Sequence, residues 1–107
     1  MKLASTIRFA DKKTQDAFYS LRQGDDSERE LFKIINQAMD NLEDDAFCGI
    51  QVPKRLIPKL YSVSNLWKYD LPKGWRLLYS IVDEEIIVIS VILEWLSHKD
   101  YEKRFRY

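Results

Sequence analysis

The residue types able to do chemistry gather in the second half of this 107-residue chain. Arg76 lies in Trp75 to Val82, where period-two alternation reads as a strand. Trp75, Leu77, Tyr79 and Ile81 share one face of it; Arg76, Leu78, Ser80 and Val82 take the other. Lys68 lies on the matching side of the preceding strand, Asn65 to Leu71, opposite Trp67, Tyr69 and Leu71. On the apolar stretch Ile86 to Leu96, Ser90 and Glu94 share one parity and would join the Lys68/Arg76 face, with His98, Lys99 and Tyr101 at its rim. Cations, an imidazole and a phenol on one concave sheet surface suit metal-free cleavage of an RNA backbone. That reaction needs a base for the 2′ proton, positive charge for the phosphorane oxygens and an acid for the departing 5′ oxygen. Arg76, with its fixed fork of donors, is the candidate for the phosphorane, and Lys68 and Lys99 add charge. His98 is the candidate acid, because histidine titrates nearest neutrality. Tyr101 would stack a base or share in proton transfer. Glu94 reads as a base or, preferably, as the salt-bridge partner of Arg76. The chemistry calls for no cofactor, and one His with one Cys cannot supply the four usual ligands of structural zinc.

Each of these residues also has a plainer reading. A strand arginine usually packs its stem and pairs with an acid, a single His near a C-terminus is usually solvated, and Tyr101 with Phe105 reads as the docking patch of a small helix. Lys54, Arg55 and Lys59 read on spacing alone as a solvated basic loop; beside the proposed face they become candidates for holding the substrate backbone. Cys48 reads as a small buried hydrophobe rather than a nucleophile.

The elements that must position these residues follow from patterning. Leu3, Ser5, Ile7 and Phe9 alternate as a short strand. Asp11 can cap a helix carrying Ala17, Phe18 and Leu21, with Gly24 closing it. Ser27 and Glu30 fit a capping box for a second helix, with the stripe Leu31, Ile34, Ile35, Ala38, Met39 and Leu42. Its acidic end, Glu43-Asp44-Asp45, opposes the helix dipole, so it should lie beyond the last turn or face a basic partner. Pro53 and Pro58 make Gly49 to Ser64 irregular. Pro72-Lys73-Gly74 and Asp83-Glu84-Glu85 are turns short enough to force an antiparallel meander. The expected order is strand, two helices, three strands and a short C-terminal helical turn. This is a single α+β domain over residues 1–107, with two N-terminal helices packed on a twisted antiparallel sheet.

Composition excludes several classes. The chain is 46% hydrophobic and 13% aromatic, values of a globular protein with a real core. Seventeen basic and seventeen acidic residues argue against coating nucleic acid by bulk charge alone. Residues 1–47 carry seven basic and ten acidic groups and residues 48–107 the reverse, a modest cationic bias in the half that holds the candidate site. One cysteine permits no internal disulfide and points to a reducing compartment, the cytoplasm. The longest apolar run, Ile86 to Leu93, is far too short to span a membrane, and MKLASTIRFADKK turns polar too soon for a secretory signal.

Residues 65–105 resemble the C-terminal half of the RelE/ParE superfamily of toxin–antitoxin proteins. The shared pattern is an aromatic-rich strand, a turn, Trp75-Arg76, Leu77-Leu78-Tyr79, an acidic turn, an apolar strand, and His98-Lys99-Asp100-Tyr101. The preceding strand and two helices fit as well; Gly49 to Ser64 matches least. The resemblance implies a RelE-like α+β fold. It also implies one of two activities: cleavage of messenger RNA in the ribosomal A site (RelE-like mRNA interferases) or poisoning of DNA gyrase (ParE-like members). A module that keeps the fold without the chemistry is the third reading. Arg76 falls on the family's catalytic strand arginine, Tyr101 on its C-terminal tyrosine, Lys68 near its basic strand position, and His98 or Lys99 where members place His, Arg or Lys. Asp70 departs from the pattern, standing at an outward position where the family often has another basic residue. The implied partners are messenger RNA on the ribosome and a cognate antitoxin that wraps the toxin with an amphipathic, often acidic segment.

Overall fold

A computed structural model describes residues 2–84 and 88–105. The elements are β1 (Thr6–Phe9), α1 (Lys12–Ser20), α2 (Asp26–Asp44), β2 (Ile50–Gln51), β3 (Trp67–Asp70), β4 (Arg76–Asp83), β5 (Val88–Leu96) and α3 (His98–Phe105), with short 3-10 turns between several of them. This is the expected α+β class, with one strand more than expected. The sheet order is β1-β5-β4-β3-β2. β3, β4 and β5 form the antiparallel meander that the short turns demand, while β1 lies parallel to β5. The sheet is therefore mixed rather than purely antiparallel. α1 and α2 carry the chain from β1 at one edge of the sheet to β2 at the other, and the strands that follow bring it back to β5 beside β1. β2, only two residues long, pairs with β3 and was hidden in the Pro-containing segment. The expected strand start at Ile86 and Ile87, and Glu85 of the preceding turn, lie outside the described residues.

Asp11 caps α1 by accepting from the Thr14 amide at 2.7 Å. The capping box of α2 is Asp25 with Glu28, not Ser27 with Glu30. Both pairs have the same spacing; the earlier one wins because the aspartate sits where the chain is still extended. At the other end Asp45, not a cation, terminates α2. Its carboxylate accepts from the Leu3 and Phe47 amides, each at 3.0 Å, which holds it below the usual carboxylate range. Asp44 pairs with Lys2 at 2.8 Å, so the basic partner of the acidic end is the N-terminal arm of this same chain.

The sheet carries a hydrophobic cluster on each side. On one, Leu31, Ile35, Ala38, Met39 and Leu42 of α2 and Phe18 of α1 pack on Leu71, Leu77 and Tyr79, the helix-facing parity read from sequence, and on Ile92, whose parity with Ser90 and Glu94 implied the other face. On the other, Val52, Leu66, Leu78, Leu96, Tyr101 and Phe105 form a second cluster, joined by Leu56, Ile57, Tyr61, Val63 and Leu93. This face was expected to be an open, concave polar surface. Instead, the irregular segment after β2 and α3 cover it.

A register shift between Leu78 and Tyr79 gives β5 one extra residue, Leu93: Leu78 faces Glu94, while Tyr79 faces Ile92. Side chains on either side of such a bulge change faces relative to simple alternation. Ser90 therefore does not join Glu94. It is fully buried opposite Ile81, next to β1, where its hydroxyl lies 2.8 Å from that of Ser5. Ser5 Oγ donates to the Leu42 carbonyl at 2.7 Å, so Ser90 is the donor between the two hydroxyls.

Candidate functional site

Arg76 and Lys68 occupy neighbouring strands on the same side of the sheet, and Asp70 is the cross-strand partner of Arg76. Arg76 Nη1 donates to the Gly74 carbonyl at 2.8 Å and, more weakly, to that of Trp75 at 3.3 Å. Its Nε lies 2.9 Å from Asp70 Oδ1 but is buried and makes no hydrogen bond, because the N–H is not aimed at the carboxylate; the contact is an ion pair only. Lys68 Nζ stands 3.6 Å from the same Oδ1. Asp70 thus shares one negative charge between two cations.

Tyr101 closes the group. Arg76 Cζ and Lys68 Nζ each lie 5.5 Å from the centre of its ring, within cation–π range. The ring stacks on Phe105 at 4.3 Å and is only 4% exposed. Tyr101 was expected at a solvated rim; it is instead the main buried anchor of α3. The reason is helical spacing: Tyr101 and Phe105, four residues apart, make the one apolar stripe of a helix whose other residues are largely charged. For the same reason Arg76 does not stand free as an outward strand residue would. Its side chain is 18% exposed.

His98 opens α3, with a largely exposed side chain whose Nε2 lies 2.5 Å from Glu102. It is next to the turn that Arg76 binds, since a β-carbon on Gly74 would stand 3.2 Å from His98 Cβ. Lys99, Lys54, Arg55 and Lys59 are all exposed. Glu94 does not pair with Arg76. It accepts from Arg104 Nη1 at 2.5 Å and from the Tyr61 hydroxyl, and Arg104 also donates to Tyr61 at 2.9 Å. This triad ties the irregular segment, β5 and α3 together. Burial and the Glu94 carboxylate push the Tyr61 phenol well above its usual range. Cys48 is exposed rather than buried, and partial desolvation beside Asp45 and Asp44 raises its thiol, which disfavours the thiolate.

The structure therefore brings Lys68, Arg76 and Tyr101 into one cluster, sets His98 beside the adjoining turn, and leaves Lys99 and the Lys54/Arg55/Lys59 group on the surface. Sequence reasoning missed the Tyr61–Glu94–Arg104 triad and the pairing of His98 with Glu102. The second was available as an i,i+4 spacing; the first joins an irregular segment to a bulged strand and had no local signal. Arg76 Nη2 has no acceptor among the described residues, so it and the outer protons of Lys68 are donors for an incoming anion. No protein-family model, curated protein or solved structure matches the chain. No helix among the described residues is long and apolar enough to cross a membrane.

Proposed function

We propose that the chain is a RelE-like toxin. On this reading it is a metal-independent endoribonuclease that cleaves messenger RNA on the ribosome and is restrained by a cognate antitoxin. The observation that carries the reading is the convergence of Arg76, Lys68 and Tyr101, supplied by β4, β3 and α3. In the proposed reaction solvent water takes the proton of the 2′-hydroxyl as its oxygen attacks the adjacent phosphorus. The 5′ oxygen leaves with a proton, giving a 2′,3′-cyclic phosphate and a 5′-hydroxyl. Arg76 Nη2 and Lys68 neutralise the phosphorane oxygens, where charge develops. His98 protonates the leaving oxygen, and the buried Tyr101 ring, stacked on Phe105, orients the guanidinium. Lys99, Lys54, Arg55 and Lys59 hold the backbone on either side.

One observation favours a second reading. Asp70 sits within ion-pair distance of both cations, so half of the cluster's positive charge is already compensated. A module that keeps the fold and binds without cutting would have this arrangement.

Inducible expression with primer extension on cellular messages separates the readings. The active toxin gives discrete cleavage ends that disappear in Arg76→Ala and persist in Cys48→Ala. Arg76→Ala also loses hydrogen bonds to two carbonyls and the Tyr101 contact, so it should cost about 1–3 kcal/mol. Arg76→Lys keeps the charge without the fork and serves as the second test: it should cut weakly while remaining folded. Growth arrest with intact messages and gyrase inhibition would indicate a ParE-like target. Neither arrest nor cleavage would leave the binding module.

A further inference from the structure

A second site stands at the far end of β4. Asp83 is seven residues from Arg76 on the same strand, roughly 23 Å at about 3.3 Å per residue. The ladder sets Gln51 opposite Trp67, Trp67 opposite Tyr79 and Asp83 opposite Val88. Parity then puts Gln51, Trp67, Ile81, Asp83 and Val88 on one face of the sheet. It is the face the helices cover, but α2 ends at Asp44, before reaching this corner. What remains is a cavity of about 360 Å³ lined by these five residues with Leu3, Phe47 and Asn65.

Its lining divides by chemistry. Phe47 is 44% exposed although it stacks on Trp67, ring centres 5.5 Å apart and planes 27° from parallel. Trp67 in turn stacks on Tyr79 at 6.1 Å. Leu3, Ile81 and Val88 complete the apolar wall. Asn65 is fully committed to structure, since its amide accepts from Ile81 N at 2.8 Å and donates to Ile81 O at 2.9 Å. The Gln51 amide and the Asp83 carboxylate are different: neither side chain has a hydrogen-bond or ion partner among the described residues. An aromatic wall beside a carboxylate and a primary amide has the form of a site for a flat heterocycle with a polar edge.

We propose that this cavity binds a guanine base. A carboxylate only accepts, so it selects a ring edge presenting two adjacent donors, which guanine offers as N1–H and its 2-amino group. The Gln51 amide can donate to the neighbouring 6-oxo oxygen. Adenine presents an acceptor at N1 and would meet the carboxylate lone pair to lone pair. Hypoxanthine keeps N1–H and the 6-oxo group but lacks the 2-amino donor. The ring lies against the Phe47–Trp67 stack, and base–aromatic stacking supplies affinity without distinguishing one base from another. Asp83 repels phosphate, so the sugar–phosphate side must point away from the cavity. This inference does not depend on cleavage at Arg76.

The test is titration of the full chain with guanosine, inosine and adenosine 5′-monophosphates, read by ¹H–¹⁵N NMR and calorimetry. Guanosine monophosphate should perturb the Trp67 indole N–H, the Gln51 side-chain amide and the Asp83 backbone amide. Inosine monophosphate should bind roughly tenfold more weakly for the lost hydrogen bond to a charged group, and adenosine monophosphate more weakly still. Asp83→Asn lies at an exposed strand end with no partner among the described residues, so it should stay folded and lose the preference for guanine. Phe47→Ala should weaken all three nucleotides alike. Equal affinity for the three, perturbations confined to the Arg76 side, or no perturbation at millimolar nucleotide would overturn the proposal.

Discussion

Tyr79 shows what one hydroxyl does for this chain. Its ring is fully buried, and its oxygen donates to the Ala46 carbonyl at 2.8 Å while accepting from the Gly49 amide at 3.1 Å. The phenol thus satisfies both backbone groups of the tight passage from α2 to β2. Gly49 is forced by that approach: a β-carbon there would stand 2.5 Å from the phenol oxygen and 2.6 Å from the Lys68 carbonyl. One contact is backbone and the other the rigid end of a buried ring, so neither can yield cheaply. Gly49→Ala should therefore destabilise the protein by about 1–3 kcal/mol, the usual cost of overpacking. Tyr79→Phe should cost a similar ~1–3 kcal/mol by leaving the Ala46 carbonyl and Gly49 amide unpaired. Urea denaturation midpoints check both. An unchanged midpoint in Gly49→Ala would mean that β2 is not held against Tyr79 as described. Nothing in the local sequence singles out Gly49, because its constraint comes from a residue 30 positions away.

At the scale of elements, the meander and the α2 stripe were legible because each is set by local periodicity and short turns. What was not legible came from contacts between distant segments. Parity along β5 failed at Leu93, since a bulge is invisible to alternation, and with it failed the placement of Ser90 and the pairing of Glu94. The polar tail proved to be α3, and its burial depended on whether anything covered the second face. The Lys68/Arg76 side was readable, but its closure by Tyr101 was not. The irregular segment and α3 share one apolar cluster and the Tyr61–Glu94–Arg104 triad, so they should loosen together. Glu94 and Arg104 are each about 30% exposed, so breaking their pair should cost about 1 kcal/mol, less than a sealed ion pair would. Native-state hydrogen exchange on Glu94→Gln should show faster exchange in residues 52–63 and 98–105, with α2 protected as in the wild type. Uniform acceleration across α2 as well would show that the two sides of the sheet open as one unit.

The whole molecule is polarised across its sheet, and that sets how it should respond to pH. The helical layer, residues 11–45, carries five basic and ten acidic groups, whereas the cover formed by residues 52–64 has three basic and none acidic. The bias between sequence halves thus becomes a bias between faces. Within this field the shifted carboxylates and phenols fall at two extremes. Asp11 and Asp45 are held below the ordinary aspartate range, chiefly by backbone amides that hydrogen-bond their carboxylates. Tyr61 and Tyr79 are pushed above the ordinary tyrosine value near 10, chiefly by burial. For the aspartates the unfolded chain binds more protons in the acid window, so their stabilisation is complete above about pH 4 and is lost as pH falls through the lowered folded values. For the tyrosines the folded chain keeps protons that the unfolded chain releases, so their stabilisation is complete below about pH 10 and is lost as pH rises above it. The expected profile is a plateau from about pH 4 to 9 with a fall on either side; the raised Cys48 thiol begins the alkaline limb and each tyrosine adds up to ~1.4 kcal/mol per pH unit above about pH 10. Tyr61→Phe should reduce the alkaline slope by one proton and leave the acid limb unchanged, whereas Asp45→Asn should flatten the acid limb alone. Urea midpoints measured from pH 3 to 11 decide it. An alkaline limb as steep in Tyr61→Phe as in the wild type would place that phenol in solvent and remove the triad that fastens α3 over Arg76.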